Sequence, residues 1–134
     1  MTLGAAMSVL LIEDDEADAE LLQEAVVACA LPWKIRHVTD AQQGLLALAG
    51  GPPQLILTDR CLPGCTSADL LDALNADPRT RSIPIVVLAG PMSDHDRRAC
   101  LDRRARAVLQ KPDGFMDYLE LVQDLHARWS DGAS

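Results

Sequence analysis

The sequence predicts an α/β fold built on a parallel, doubly wound five-stranded sheet with helices on both faces. Short apolar runs of strand length recur five times, and each is followed by a stretch whose apolar positions return at helical spacing. Right-handed crossovers between parallel strands then place the helices over both faces of the sheet. The length agrees: 134 residues, 49% of them apolar, suit one domain over residues 1–134 that folds without disulfides or a structural metal. Its core is expected over about residues 8–129, with short flexible ends.

Residues 8–12 (SVLLI) read as a buried first strand that stops abruptly at Glu13, Asp14, Asp15 and Glu16. From Glu16, the positions Ala19, Leu22, Ala25, Val26 and Cys29 carry a helix to about Ala30, and Leu31-Pro32 ends it. Residues 34–38 form a more polar strand, which places it at a sheet edge. Asp40 followed by Gln43 has the form of a capping box for a short helix through Leu45, Leu48 and Ala49, terminated by Gly50-Gly51-Pro52-Pro53. Residues 55–58 are the third strand, leading into Asp59. Residues 60–65 form a loop around Pro63-Gly64, and Thr66 with Asp69 opens a helix that ends near residues 75–78. The fourth strand covers residues 83–88, Ser93 and Asp96 cap a helix to about Arg104, and residues 107–110 form a fifth strand that delivers Lys111-Pro112. The last helix spans about 113–129, with Phe115, Leu119, Val122 and Leu125 as its apolar stripe.

Charge and composition exclude several functions. Twenty Asp and Glu against twelve Lys and Arg give a net charge of -8, the wrong sign for sequence-independent binding to nucleic acid or an anionic membrane. Residues 1–12 are interrupted by Thr2, Gly4 and Ser8 and are too short to span a bilayer, which disfavours secretion and membrane insertion. Cys29, Cys61, Cys65 and Cys100 show no zinc-ligand spacing, and they read as reduced thiols of a cytoplasmic protein.

Ligands of an open parallel sheet bind beyond the carboxyl ends of its strands. Glu13 and Asp14 follow the first strand, Asp59 the third and Lys111 the fifth, so three carboxylates and one ammonium meet at one rim. An all-oxygen cluster of this kind suits Mg2+. Taken singly the residues are ambiguous. Asp15, Glu16 and Asp18 read as helix-opening acids facing the macrodipole. Glu13 and Asp14 alone are undecided, and a lone Asp59 is as readily a cap as a nucleophile.

Together, Leu11-Ile12-Glu13-Asp14, Leu57-Thr58-Asp59 with Leu62-Pro63-Gly64, the run 83–88 and Lys111-Pro112 resemble the receiver domain of two-component response regulators over about residues 8–129. The resemblance implies a flavodoxin-like (βα)5 sheet in the order 2-1-3-4-5. It implies phosphoryl transfer from a sensor histidine kinase, or a phosphotransfer protein, to Asp59. It further implies Mg2+ bound directly by Asp14 and Asp59, by Glu13 partly through water, and by the backbone carbonyl of Cys61. Lys111 pairs with Asp59 in the empty site and with a phosphoryl oxygen in the occupied one, from a cis Lys111–Pro112 peptide. Such a domain is a phosphoacceptor signalling module, with self-catalysed phosphotransfer and dephosphorylation only. Within the family the chain looks most like the single-domain regulators that serve phytochrome-type kinases.

Two switch positions depart from the family pattern. Ala89 stands where a Thr or Ser hydroxyl is usual, and Val108 where an aromatic is usual. Losing that hydroxyl is worth on the order of 1.5–3 kcal/mol of charge-assisted bonding. Arg60, directly after Asp59, either contacts incoming phosphate or lies on the surface.

Arg97, Arg98, Arg103, Arg104 and Arg106 crowd the fourth helix. They form a solvated face, or a homodimer surface through the fourth helix, fifth strand and last helix, meeting Asp117, Glu120 and Asp124 of a second copy, with Tyr118 and Trp129 as apolar anchors. Ala89 and Val108 also fit a degenerate receiver acting as a phosphorylation-independent adaptor. A Mg2+-dependent phosphatase of the haloacid-dehalogenase type needs an Asp where Cys61 stands, and a flavin or nucleotide site needs a glycine-rich loop after the first strand.

Overall fold

The apolar runs form strands β1 (Met7–Ile12), β2 (Trp33–Val38), β3 (Leu55–Asp59), β4 (Ile85–Ala89) and β5 (Ala107–Gln110). Between and after them lie α1 (Glu16–Ala28), α2 (Ala41–Leu48), α3 (Ser67–Ala76), α4 (Asp94–Asp102) and α5 (Phe115–Trp129). The structure, a computed structural model, describes residues 6–62 and 65–130. The expected flexible ends, and Pro63-Gly64 at the centre of the expected loop, lie outside the described residues. Within the expected loop, Cys61–Leu62 and Cys65–Thr66 instead pair as a short antiparallel ribbon.

The five sheet strands are all parallel and lie in the order β2-β1-β3-β4-β5, as the resemblance implies. Alternation along each central strand divides the core in two. Val9, Leu11, Leu55, Leu57, Val86 and Leu88 face α1 and α5. Leu10, Ile12, Ile56, Ile85, Val87 and Val108 face the layer of α2, α3 and α4. The central strands are therefore apolar at successive positions, whereas β2, at the edge, alternates half-buried and exposed residues. Gly44 lets α2 approach β1, since a Cβ there would stand 2.7 Å from Ile12 Cδ1 and 3.2 Å from its Cγ1.

The predicted caps form. Asp15 accepts the N–H groups of Ala17 and Asp18, Ser93 that of Asp96, and Thr66 with Asp69 closes a reciprocal box. At α2, Asp40 accepts the Gln43 N–H, but Gln43 returns its carbonyl to the N–H of Thr39, one residue earlier than the box requires.

Two expectations are corrected. α4 stops at Asp102, because Arg104 adopts φ +70° and the Ala105 N–H turns back to the Cys100 carbonyl, a Schellman-type closure. Arg97 and Arg98 thus lie on the helix, Arg103 caps it, and Arg104 and Arg106 lie on the turn to β5. Tyr118 and Trp129 are not surface anchors: they are 1% and 9% exposed. With Leu121, Val122 and Leu125 they form the inward stripe of α5 against α1 and the sheet, and Phe115 and Leu119 flank it half-buried. Among the described residues no helix is long and apolar enough to cross a membrane.

Candidate functional site

The sheet register places the functional side chains. Ile12 pairs with Thr58 across β1 and β3, so Glu13 and Asp59 leave neighbouring strand ends side by side. Glu13 is anchored by its N–H to the Val38 carbonyl, and its own carbonyl oxygen accepts from His37 Nε2 at 2.7 Å. Lys111 follows β5 with its N–H on the Ala89 carbonyl at 2.7 Å, which directs its long side chain across the end of β4. All peptide bonds among the described residues are trans, so the expected cis Lys111–Pro112 bond is not found. The lysine reaches the acids without it, because the backbone bond to Ala89 already fixes its start point at the rim.

Lys111 Nζ lies 2.9 Å from Glu13 Oε1, 3.1 Å from Asp59 Oδ2 and 3.1 Å from Asp18 Oδ2. Glu13, Asp14 and Asp59 each offer a carboxylate oxygen within 4.8 Å of the others. Glu13 is buried, Asp59 half-buried and Asp14 exposed. The cluster is thus a cup with a low-dielectric floor and a wet rim. Burial pushes the Glu13 carboxyl up to about 7, against the pull of Lys111. Burial works against the Lys111 ammonium too, but its hydrogen bonds to Glu13, Asp18 and Asp59 outweigh this and raise it well above the usual lysine range. The ammonium therefore stays charged, and Glu13 is the group that takes up a proton. Hard, all-oxygen donors with solvent access on one side fit a small divalent cation that retains several waters.

Asp18 is a site residue that the sequence reading assigned to helix opening. Its place in the first turn of α1, directly after the strand end that carries Glu13, was the only local signal. It also faces the Tyr118 hydroxyl, whose titration is raised first by burial and then by the Asp18 charge. Asp15 behaves as read, capping α1 with its exposed side chain.

Ala89 ends β4 and Val108 is buried in β5, with an open cleft of about 340 Å³ beside them. Arg97 Nη1 donates to the Val108 carbonyl at 2.8 Å across this cleft. Arg60 forms an ion pair with Asp96, Nη2 to Oδ2 at 2.7 Å. Arg97, Arg98, Arg104, Asp117, Glu120 and Asp124 are exposed, and Asp124 is also 3.3 Å from Arg128 on its own helix.

The model of the response regulator receiver domain matches residues 9–123. The chain is 30% identical over 127 residues to the probable methanogenesis regulatory protein FilR2 of Methanothrix harundinacea, covering 90% of this chain and 82% of that protein. The phosphorylated cyanobacterial phytochrome response regulator RcpA has a similar structure, with TM-score 0.87, 26% identity, and 97% and 98% of the two chains covered. The Mn(2+)-bound form of response regulator Rcp1, a Synechocystis protein, gives TM-score 0.82 at 25% identity, covering 96% and 97%. The acidic rim, the strand order and these similarities agree, and the chain belongs to the response regulator receiver domain family.

Proposed function

We propose that this receiver accepts a phosphoryl group on Asp59 from a sensor histidine kinase or a phosphotransfer protein and signals through protein contacts. The observation that carries this reading is the convergence of Lys111 and the Glu13, Asp14 and Asp59 carboxylates on one partly open rim. A P–O bond to an Asp59 carboxylate oxygen forms as the P–N bond to the donor histidine breaks, and the leaving imidazole takes a proton from solvent. Lys111 moves from the Asp59 carboxylate to a phosphoryl oxygen, replacing one charge-assisted bond by another. Asp14 and Asp59 would hold Mg2+ directly, with Glu13 partly through water and the Cys61 backbone carbonyl. A divalent cation there supplies neutralisation of the phosphoryl oxygens.

The match to RcpA over 97% of this chain supports one receiver domain over residues 1–134, and the description of RcpA as a phytochrome response regulator supports a phytochrome-type kinase as donor. Exposed Arg97, Arg98 and Arg104 of one copy and Asp117, Glu120 and Asp124 of another support a homodimer through α4, β5 and α5, with rim pairs setting its orientation.

A second reading is a phosphorylation-independent adaptor, favoured by Ala89 and Val108, neither of which carries the usual switch group. Intact mass after treatment with acetyl phosphate and Mg2+ decides between them. One phosphoryl addition to wild type and none to Asp59→Asn supports the acceptor; no addition to either, with partner binding unchanged in Asp59→Ala, selects the adaptor.

A further inference from the structure

α4 is attached to the domain unlike the other helices. All nine of its residues are described, and Cys100 alone is buried, while Leu101 is exposed. Apolar burial therefore fixes little of it, and its first turn is held by two arginine contacts to different strands. Arg97 donates to the Val108 carbonyl of β5, and Arg60, which follows Asp59 at the end of β3, pairs with Asp96 at 2.7 Å. Asp96 is the third residue after the Ser93 cap, and its backbone N–H donates to the Ser93 hydroxyl oxygen at 3.1 Å. A carboxylate at that position ordinarily returns to the cap N–H. Here it is taken by Arg60 instead.

We propose that Arg60 carries the charge state of Asp59 to α4: when Asp59 bears a phosphoryl group, the guanidinium leaves Asp96 for the phosphoryl oxygens and the first turn of α4 is released. The inference rests on Asp59 being the acceptor, as proposed above. Three observations carry it further. The Arg60 N–H is bonded to the Leu88 carbonyl at 3.0 Å, so its backbone is fixed and only the side chain has to swing. Its Cα lies one peptide, about 3.8 Å, from that of Asp59, well within the length of an arginine side chain.

The Arg60 and Asp96 side chains are 34% and 44% exposed. A pair so exposed is worth a factor of about two to five at most. A phosphoryl group offers about two negative charges and three acceptor oxygens against the single charge of one carboxylate, so it wins the competition. Ala89 and Val108 lack the hydroxyl and the ring that would otherwise link the phosphoryl group to this face. The Arg60–Asp96 pair is an existing polar connection from the acceptor strand to α4.

Hydrogen exchange of the full chain, with and without beryllofluoride and Mg2+, tests the device, and native intact mass reads loading separately. In wild type, loading should speed exchange at residues 94–98 by about two- to five-fold. In Asp96→Asn and Arg60→Gln the same amides should already exchange at the faster rate and respond no further. A loaded wild type with unchanged exchange at 94–98 overturns the inference while leaving the acceptor reading intact, as do loaded variants that respond like wild type. Failure of wild type to load overturns the acceptor reading and this inference with it.

Discussion

Lys111→Met deletes the ammonium that faces Glu13, Asp18 and Asp59 while conserving side-chain volume. The consequence is set by Glu13, whose side chain is 4% exposed and which then has no cation at 2.9 Å. In wild type the Glu13 carboxyl is raised from 4.5 to about 7. The stability linked to its protonation is whole below pH 4.5 and is lost as pH rises through 7. At about 1.4 kcal/mol per unit, this amounts to about 3 kcal/mol.

Removing Lys111 removes a group that holds Glu13 down, so in the variant the carboxyl climbs further and the loss continues to higher pH. Breaking a buried pair costs about 3–5 kcal/mol, which is the destabilisation expected at pH 8. At pH 5.5 Glu13 is protonated in both proteins, and the difference should shrink by about 1–2 kcal/mol. Urea unfolding followed by circular dichroism at the two pH values measures this. Mg2+ added at pH 8 should restore part of the loss by supplying positive charge to the same carboxylates. A destabilisation equal at both pH values, or larger at pH 5.5, would refute the assignment of Glu13 as the proton-accepting group of the site.

Trp129→Ala should cost about 3–5 kcal/mol in unfolding free energy and leave self-association, read by sedimentation, unchanged, because the ring lies within the core between α5 and the sheet; unaltered stability with weakened association would return it to the surface role. Gly44→Ala gains about 1 kcal/mol of helix propensity but drives a Cβ to 2.7 Å from Ile12 Cδ1, at an overpacking cost of about 1–3 kcal/mol. The double variant with Ile12→Val, which deletes Cδ1, should recover most of any loss, and simple additivity of the two substitutions would count against the contact.

Much of the site was legible because a parallel sheet converts sequence position into place. Residues that follow strands at 13, 59 and 111 must emerge at one rim, whatever the helices do between them. The caps at Asp15, Thr66 and Ser93 were legible for the same local reason, since each depends on bonds to its own next three residues.

What sequence could not decide was which face of an element looks inward and which distant charge a side chain meets. The stripe of α5 runs through Tyr118 and Trp129 because α5 packs on α1. A polar-tipped aromatic reads equally well as core or surface until that packing exists. Asp18 looked like any acid in a first helical turn, and only the approach of a lysine 93 positions later made it part of the site. Arg60 and Asp96, separated by 36 positions, met because packing brings the first turn of α4 within reach of the side chain that follows Asp59.

The chain by itself therefore determined its strands, its helix starts and the acidic rim, through periodicities of two and 3.6 residues and short-range bonds. The Lys111–Asp59 pair was expected from the resemblance; tertiary structure alone decided that Glu13 and Asp18 join Asp59 around Lys111 and that Arg60 meets Asp96. Long, flexible charged side chains take their direction from whichever opposite charge the packed elements bring within about 3 Å.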